Sequence, residues 1–102
     1  MDMNEVMKQA QMMQLELARA QEEVQEMTFT STSGGGMVEV VARGDNTIER
    51  VTIDPEVVDP DDVDMLQDMI LAAVNNALDG VREAGEARLA SVTGGMGIPG
   101  LF

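Results

Sequence analysis

The sequence contains no cysteine, histidine, tryptophan or tyrosine. The absence of cysteine excludes disulfides and thiolate metal sites, and it leaves the redox compartment undefined. The absence of histidine removes the usual neutral-pH general base, the imidazole-dependent triads and the commonest zinc ligand. We therefore predict that the protein is not an enzyme and that it binds no cofactor and no metal.

Long apolar runs are also missing from this chain of 102 residues. The longest run, 69–74, is far too short to span a membrane, and residues 1–5 lack the basic and apolar regions of a signal peptide. We expect a soluble cytoplasmic protein with one modest core and no membrane partner.

Basic residues are scarce, with 6 against 19 acidic ones and a net charge of −13. This is the wrong overall sign for a nucleic-acid binder. However, ten of the acids fall within 39–68, whereas 6–15 and 87–102 contain none. We therefore expect acid at the centre of the molecule and neutral or mildly basic ends.

The strongest local signal is a helical segment after two Asp-Pro steps, at 54–55 and 59–60. Asp59 is a suitable N-cap and Pro60 a suitable first helical residue, so we predict a helix of about 30 residues from this point. Its apolar residues recur every three or four positions. The surrounding cluster of Asp59, Asp61, Asp62 and Asp64 lacks the features of an EF-hand loop, so capping explains these acids better than metal binding.

A second helix is predicted over 3–27, upstream of the first. Its apolar positions follow a 3.5-residue repeat that is typical of a coiled-coil-like seam. The seam consists of Met3, Val6, Ala10, Met13, Leu17, Ala20, Val24 and Met27. Met7, Met12 and Leu15 lie off the seam, and we expect them to broaden the buried face rather than to form an exposed docking surface.

Three strands are predicted between the helices. Gly34, Gly35 and Gly36 indicate a hairpin turn with positive φ angles rather than a phosphate-binding loop, because no Lys and Ser or Thr follow them. A second turn at 44–46 completes an antiparallel meander, in which Val38, Val40 and Ala42 share one face, as do Val51 and Ile53. The strands leave Glu39, Arg43 and Arg50 for the solvated side.

The predicted fold class is therefore α+β: helix, three-stranded antiparallel meander, long helix. Residues 1–93 form one domain, and 94–102 form a flexible apolar tail that contains Gly and Pro. If the helices pack antiparallel, they form a protruding arm with the acid-free windows at its tip. The long helical stripes and the sheet edges favour a symmetric homodimer.

Several motifs, in order along almost the whole chain, resemble the YbaB/EbfC family of bacterial nucleoid-associated proteins. These motifs are residues 8–13, 34–38, 53–58, 65–68 and 94–100. The resemblance implies a tweezer-like homodimer with a fused central sheet and projecting helical arms, which binds DNA and helps to organise the nucleoid or tune transcription. It also implies several basic residues in the distal half of the second helix, where this chain has only Arg82 and Arg88.

The candidate DNA-binding residues are the basic and amide side chains near the predicted arm tips. They are Lys8, Gln9, Gln11, Gln14, Arg19, Arg82 and Arg88. Arg19 has Glu16, Glu22 and Glu23 at ion-pairing distance along the helix, and Arg82 has Glu86, whereas Arg88 continues the apolar stripe. With so few cations we expect DNA binding to be weak and salt-sensitive.

An alternative hypothesis is an acidic dimeric interaction module with little or no affinity for DNA. Such a module would bind basic or recombination-related proteins through Met12, Leu15 and the apolar tail. Its indifference to DNA at every salt concentration would separate it from the DNA-binding hypothesis.

Overall fold

The computed structural model describes residues 2–93, so the predicted tail lies outside the described residues. The order of elements is α1 (Met3–Glu26), β1 (Thr28–Ser33), β2 (Val38–Arg43), β3 (Ile48–Ile53), a short 3₁₀ helix (Pro55–Val57) and α2 (Val63–Val92). The strands form one antiparallel sheet in the order β1-β2-β3. The predicted α+β order is thus confirmed, and the molecule is elongated, with extents of 72 × 23 × 16 Å.

The core lies between β2 and α2. Val38, Val40 and Ala42 project from one face of β2 and are fully buried, as predicted. They pack against Ala73, Ala77 and Val81 of α2, which recur every four residues and so share one helical face. The small side chains on both elements allow the helix to lie close to the sheet.

The hairpin between β1 and β2 has the predicted positive φ angles, at +61°, +70° and +92° for Gly34, Gly35 and Gly36. It is fixed to the start of α2, because the Ser33 hydroxyl donates a hydrogen bond to the Met69 carbonyl oxygen at 2.6 Å. The hairpin and the first turns of α2 therefore lie at the same end of the sheet.

The predicted start of α2 at Pro60 is wrong by three residues. Asp59 accepts a hydrogen bond from the Asp61 amide at 2.9 Å, and its carbonyl accepts one from the Asp62 amide at 3.0 Å. Pro60 therefore occupies a turn, where its fixed φ is equally favourable. Asp62 is the true N-cap and accepts a hydrogen bond from the Met65 amide at 3.3 Å.

Two glycines in α2 mark close approaches to other elements. A Cβ at Gly80 would overlap the ring of Phe29 on β1, and a Cβ at Gly85 would lie 2.8 Å from a methyl group of Val24 on α1. The helix remains α-helical through both positions. The helix-weakening glycines are thus explained by packing.

Candidate nucleic-acid interface

The amino-terminal half of α1 extends beyond the described end of α2. The two helices run antiparallel, because Glu23 pairs with Arg88 while Glu16 and Arg19 line a groove with Ser91 and Val92. Residues 3–15 continue past this point, and all of them are exposed. At 1.5 Å per residue they project by about 20 Å.

Lys8 and Arg19 lie on one face of this projecting helix. They are eleven residues apart, which places them within about 20° of each other around the axis and about 16 Å apart along it. The same geometry places Lys8 about 160° from Val24, whose side chain faces α2. The basic face of α1 therefore points away from α2.

Neither of these two cations has a carboxylate partner among residues 2–93 within the 4.0 Å limit for an ion pair. The expected pairing of Arg19 with Glu16, Glu22 or Glu23 is therefore wrong, since Glu23 bonds across to α2 instead. Both cations are left available to an external anion.

Arg88 and Arg82 are committed to internal partners. The Arg88 Nε donates to Glu23 at 3.0 Å, and an Nη donates to the Ser91 hydroxyl at 3.0 Å. Arg82 donates to Asp79 at 2.7 Å rather than to the predicted Glu86. Asp79 lies one turn before Arg82 on the same helix, so the pair forms locally.

The structure also separates Arg82 from the other candidates. Arg82 lines a groove with Gly44 and Asn46 at the β2–β3 turn, next to the sheet. Lys8 lies nineteen residues before Met27, the C-cap of α1, which corresponds to about 28 Å. The predicted residues do not form one cluster at an arm tip.

The three candidate glutamines diverge around α1. Gln11 lies about 60° from Lys8, whereas Gln9 and Gln14 lie about 100° and 120° from it. Gln11 can therefore reach the same ligand as Lys8. Gln9 and Gln14 lie instead on either side of the apolar seam, which is on the opposite side of α1 from Lys8.

Three off-seam apolar side chains of α1 are exposed rather than buried. The exposed fractions are 56% for Met7, 62% for Met12 and 54% for Leu15. The expectation that they broaden a buried face is wrong within residues 2–93, because all three point away from α2, about 100° to 180° around α1 from Val24. Met12 and Leu15 lie beside Lys8 on the outward side of α1.

The strongest acidic segment lies at the opposite end of the molecule. Seven acids and no base occur within 54–68, which connects β3 to α2 next to the β1–β2 hairpin. No group of three acidic side chains within residues 2–93 could hold a metal ion. None of the helices within residues 2–93 contains an apolar stretch that is long enough to cross a membrane.

The β2–β3 turn contains a separate polar cluster. The Thr47 hydroxyl donates a hydrogen bond to Asp45, and this bond, with a smaller contribution from Arg43, lowers the pKa of the Asp45 carboxyl. Arg43 lies 3.7 Å from the same carboxylate. This cluster stabilises the turn, and it pairs Arg43, a third basic residue, with a carboxylate of the same chain.

An apolar flank along β3 was not recognised from the sequence. Ile48 and Val51 point to the face that α2 covers over β1 and β2, yet they remain 37% and 43% exposed. On α2, Val74, Leu78 and Leu71 lie on the side opposite the contact with β1, and Leu71 is 60% exposed. The alternation in β3 predicted its inner face, but not that α2 would be displaced towards β1.

Comparison with known proteins agrees with this architecture. A nucleoid-associated protein of Acetivibrio thermocellus is 55% identical, covering 99% of this chain and 90% of its own. A nucleoid-associated protein of Oceanobacillus iheyensis is 52% identical, covering 99% and 97%. The crystal structure of the uncharacterized protein HP0035 from Helicobacter pylori superposes with a TM-score of 0.70 at 25% identity, covering 91% of this chain and 98% of that one. The model of the YbaB/EbfC DNA-binding family matches residues 1–96, and the chain therefore belongs to this DNA-binding family.

Proposed function

We propose that this protein is a homodimeric nucleoid-associated protein that contacts the DNA backbone through the outward face of α1. The family match and the names of the relatives support the general function. The observation that carries the site is that Lys8 and Arg19 share one exposed face and have no carboxylate partner within residues 2–93.

The position of this face explains how an acidic protein can approach DNA. The Debye length at physiological ionic strength is about 8 Å. Lys8 lies about 28 Å along α1 from the sheet, and the acidic segment 54–68 is at the far side of that sheet. Salt therefore screens the repulsion between the acidic segment and DNA bound at Lys8, whereas direct contacts between Lys8 and phosphate persist.

Dimerisation through the apolar flank would supply two such faces. The flank consists of Ile48 and Val51 on β3 and Leu71, Val74 and Leu78 on α2. Because β3 is an edge strand, a twofold partner could extend the sheet and cover these side chains at the same time. A dimer would double the number of phosphate contacts without any new basic residue.

The expected salt dependence follows from counting these contacts. Two cations on each of two arms give about four phosphate contacts, so log K should fall with log salt with a slope of about −3.6. Affinity should lie in the nonspecific range, about 10⁻⁴ to 10⁻⁶ M at physiological salt. We propose that the protein acts in the nucleoid, where the DNA concentration is high enough for such affinities to give binding. Its role there would be to help organise the nucleoid or tune transcription.

The test is a fluorescence anisotropy titration of a short duplex at several salt concentrations. Lys8→Gln should reduce the slope to about −1.8, since it removes one contact from each arm. Arg82→Gln is the matched control, because it loses the same charge but Arg82 is paired with Asp79 beside the sheet. Equal effects of the two variants would contradict the proposed site.

A second candidate function is protein recognition by the same face. Met12 and Leu15 are 62% and 54% exposed beside Lys8, and such side chains suit a docking surface. This interaction module is favoured if the wild-type protein shows no anisotropy change with DNA even at low salt. A DNA salt slope that is reduced in Lys8→Gln and unchanged in Met12→Gln favours the first function.

A further inference from the structure

Three methionines of α1 are more exposed than any other methionine within residues 2–93. Their exposed fractions are 73% for Met3, 56% for Met7 and 62% for Met12. Met27 and Met69 are instead partly buried and pack against the core. The thioether side chains of the first group are therefore open to small reagents from the solvent.

Met12 differs from the other two exposed methionines in its position beside a basic residue. It follows Lys8 by four residues, which places the two side chains about 40° apart around the axis and about 6 Å apart along it. Side chains at this spacing are neighbours on a helix surface. Met7 and Met3 lie about 100° and 140° around the axis from Lys8, so neither shares its face. Met12 is thus the exposed methionine of the outward face of α1.

Hydrogen peroxide oxidises a thioether without help from any protein group. A sulfur lone pair attacks one peroxide oxygen, the S–O bond forms as the O–O bond breaks, and hydroxide leaves. The hydroxide then takes the proton of the transferred hydroxyl group, which gives the sulfoxide and one water molecule. Sulfur loses two electrons, and the peroxide gains them. The product is a polar side chain that methionine sulfoxide reductases return to the thioether.

We propose that Met12 is a site of reversible oxidation that controls whether Lys8 is available to an external anion. In the thioether form, Met12 offers the Lys8 ammonium only a weak sulfur acceptor. In the sulfoxide form, the new oxygen lies one helical turn from the ammonium and accepts a hydrogen bond from it. A phosphate must then compete with this internal acceptor. The consequence for DNA rests on the proposed function, whereas the oxidation site does not.

Peptide mass spectrometry of the full chain during reaction with hydrogen peroxide tests the site. Met12 should be oxidised several-fold faster than Met27 and Met69, whose side chains pack against the core. The adjacent Met13 is 38% exposed and should react more slowly than Met12. Oxidation of Met12 no faster than that of Met27 and Met69 would overturn the proposal.

A variant that keeps Met12 as the only methionine of α1 isolates the effect on Lys8. The substitutions Met3→Leu, Met7→Leu and Met13→Leu nearly preserve side-chain volume. Lys8 is the only lysine of the sequence, so its side-chain ammonium gives a single signal in a heteronuclear NMR spectrum. Oxidation should slow the exchange of its protons with water roughly twofold, and adding Met12→Leu should abolish this response. An exchange rate that oxidation leaves unchanged would contradict the pairing of Lys8 with the sulfoxide.

The same two variants measure the consequence for DNA in the anisotropy titration. Oxidation should weaken the affinity of the variant that keeps Met12 by about two- to fivefold, since one internal hydrogen bond forms on each of two arms. A methionine sulfoxide reductase should restore the affinity, and the variant without Met12 should not respond to oxidation. Equal affinities before and after oxidation in both variants would overturn the regulatory role of Met12. Absence of DNA binding before oxidation would instead refute the proposed function, and the oxidation rates and Lys8 exchange would then decide this proposal alone.

Discussion

The substitution Val51→Lys should convert the proposed dimer into a monomer. Val51 is 43% exposed on the inner face of β3, beside Ile48 and below the flank of α2 that bears Leu71. Complete burial of such a side chain contributes about 1.5–3 kcal/mol. Burying the parts of Ile48, Val51 and Leu71 that are still exposed would therefore contribute about 2–4 kcal/mol per protomer. This contribution is available only through association.

The magnitude for Val51 follows from its own exposed fraction. Losing its further burial removes about 1 kcal/mol per copy, and a twofold interface counts this loss twice, which corresponds to roughly a 30-fold weaker dimer. The lysine ammonium also loses hydration in the interface, at a further several kcal/mol unless it finds a partner. We therefore expect dissociation at micromolar concentration.

Sedimentation velocity across a concentration series measures this change directly. Thr52→Lys is the control, since it adds the same charge to the next residue on the outer face of β3, opposite Glu39. The control should keep the wild-type mass. If Val51→Lys also keeps the wild-type mass, or if the wild-type protein is already monomeric, the assignment of the β3 flank as the dimer interface is refuted.

Three further substitutions test the packing and polar contacts. Gly80→Ala should lower the free energy of unfolding by about 1 kcal/mol, because crowding against Phe29 exceeds the gain in helix propensity; urea denaturation measures this loss, and Phe29→Leu should relieve it. Thr47→Val should return the Asp45 pKa towards 3.8, which a carboxyl NMR titration measures. Since folding lowers this pKa, ionised Asp45 stabilises the fold above pH 3.8, and this stabilisation is lost as the pH falls through the lowered pKa. Arg88→Gln should cost at most about 1 kcal/mol, because its bridge to Glu23 is exposed, and it should leave the DNA salt slope unchanged.

Local signals in the sequence predicted most of the fold. The repeat in α1, the glycines of the hairpin and the alternation in β2 each act over a few residues, and the structure has all three elements. The start of α2 was misplaced because Asp59-Pro60 suits a turn as well as a helix N-terminus. Here two local signals competed, and the turn was favoured.

The candidate site was less predictable, because contacts between segments distant in sequence determine which of its basic residues form ion pairs within the chain. The Arg88 bridge to Glu23 joins residues 65 positions apart and depends on the antiparallel register of the two helices. That register occupies Glu23, which sequence spacing had assigned to Arg19, and it leaves Arg19 available. The displacement of α2 towards β1, which exposes Val51, likewise depends on tertiary packing at Gly80.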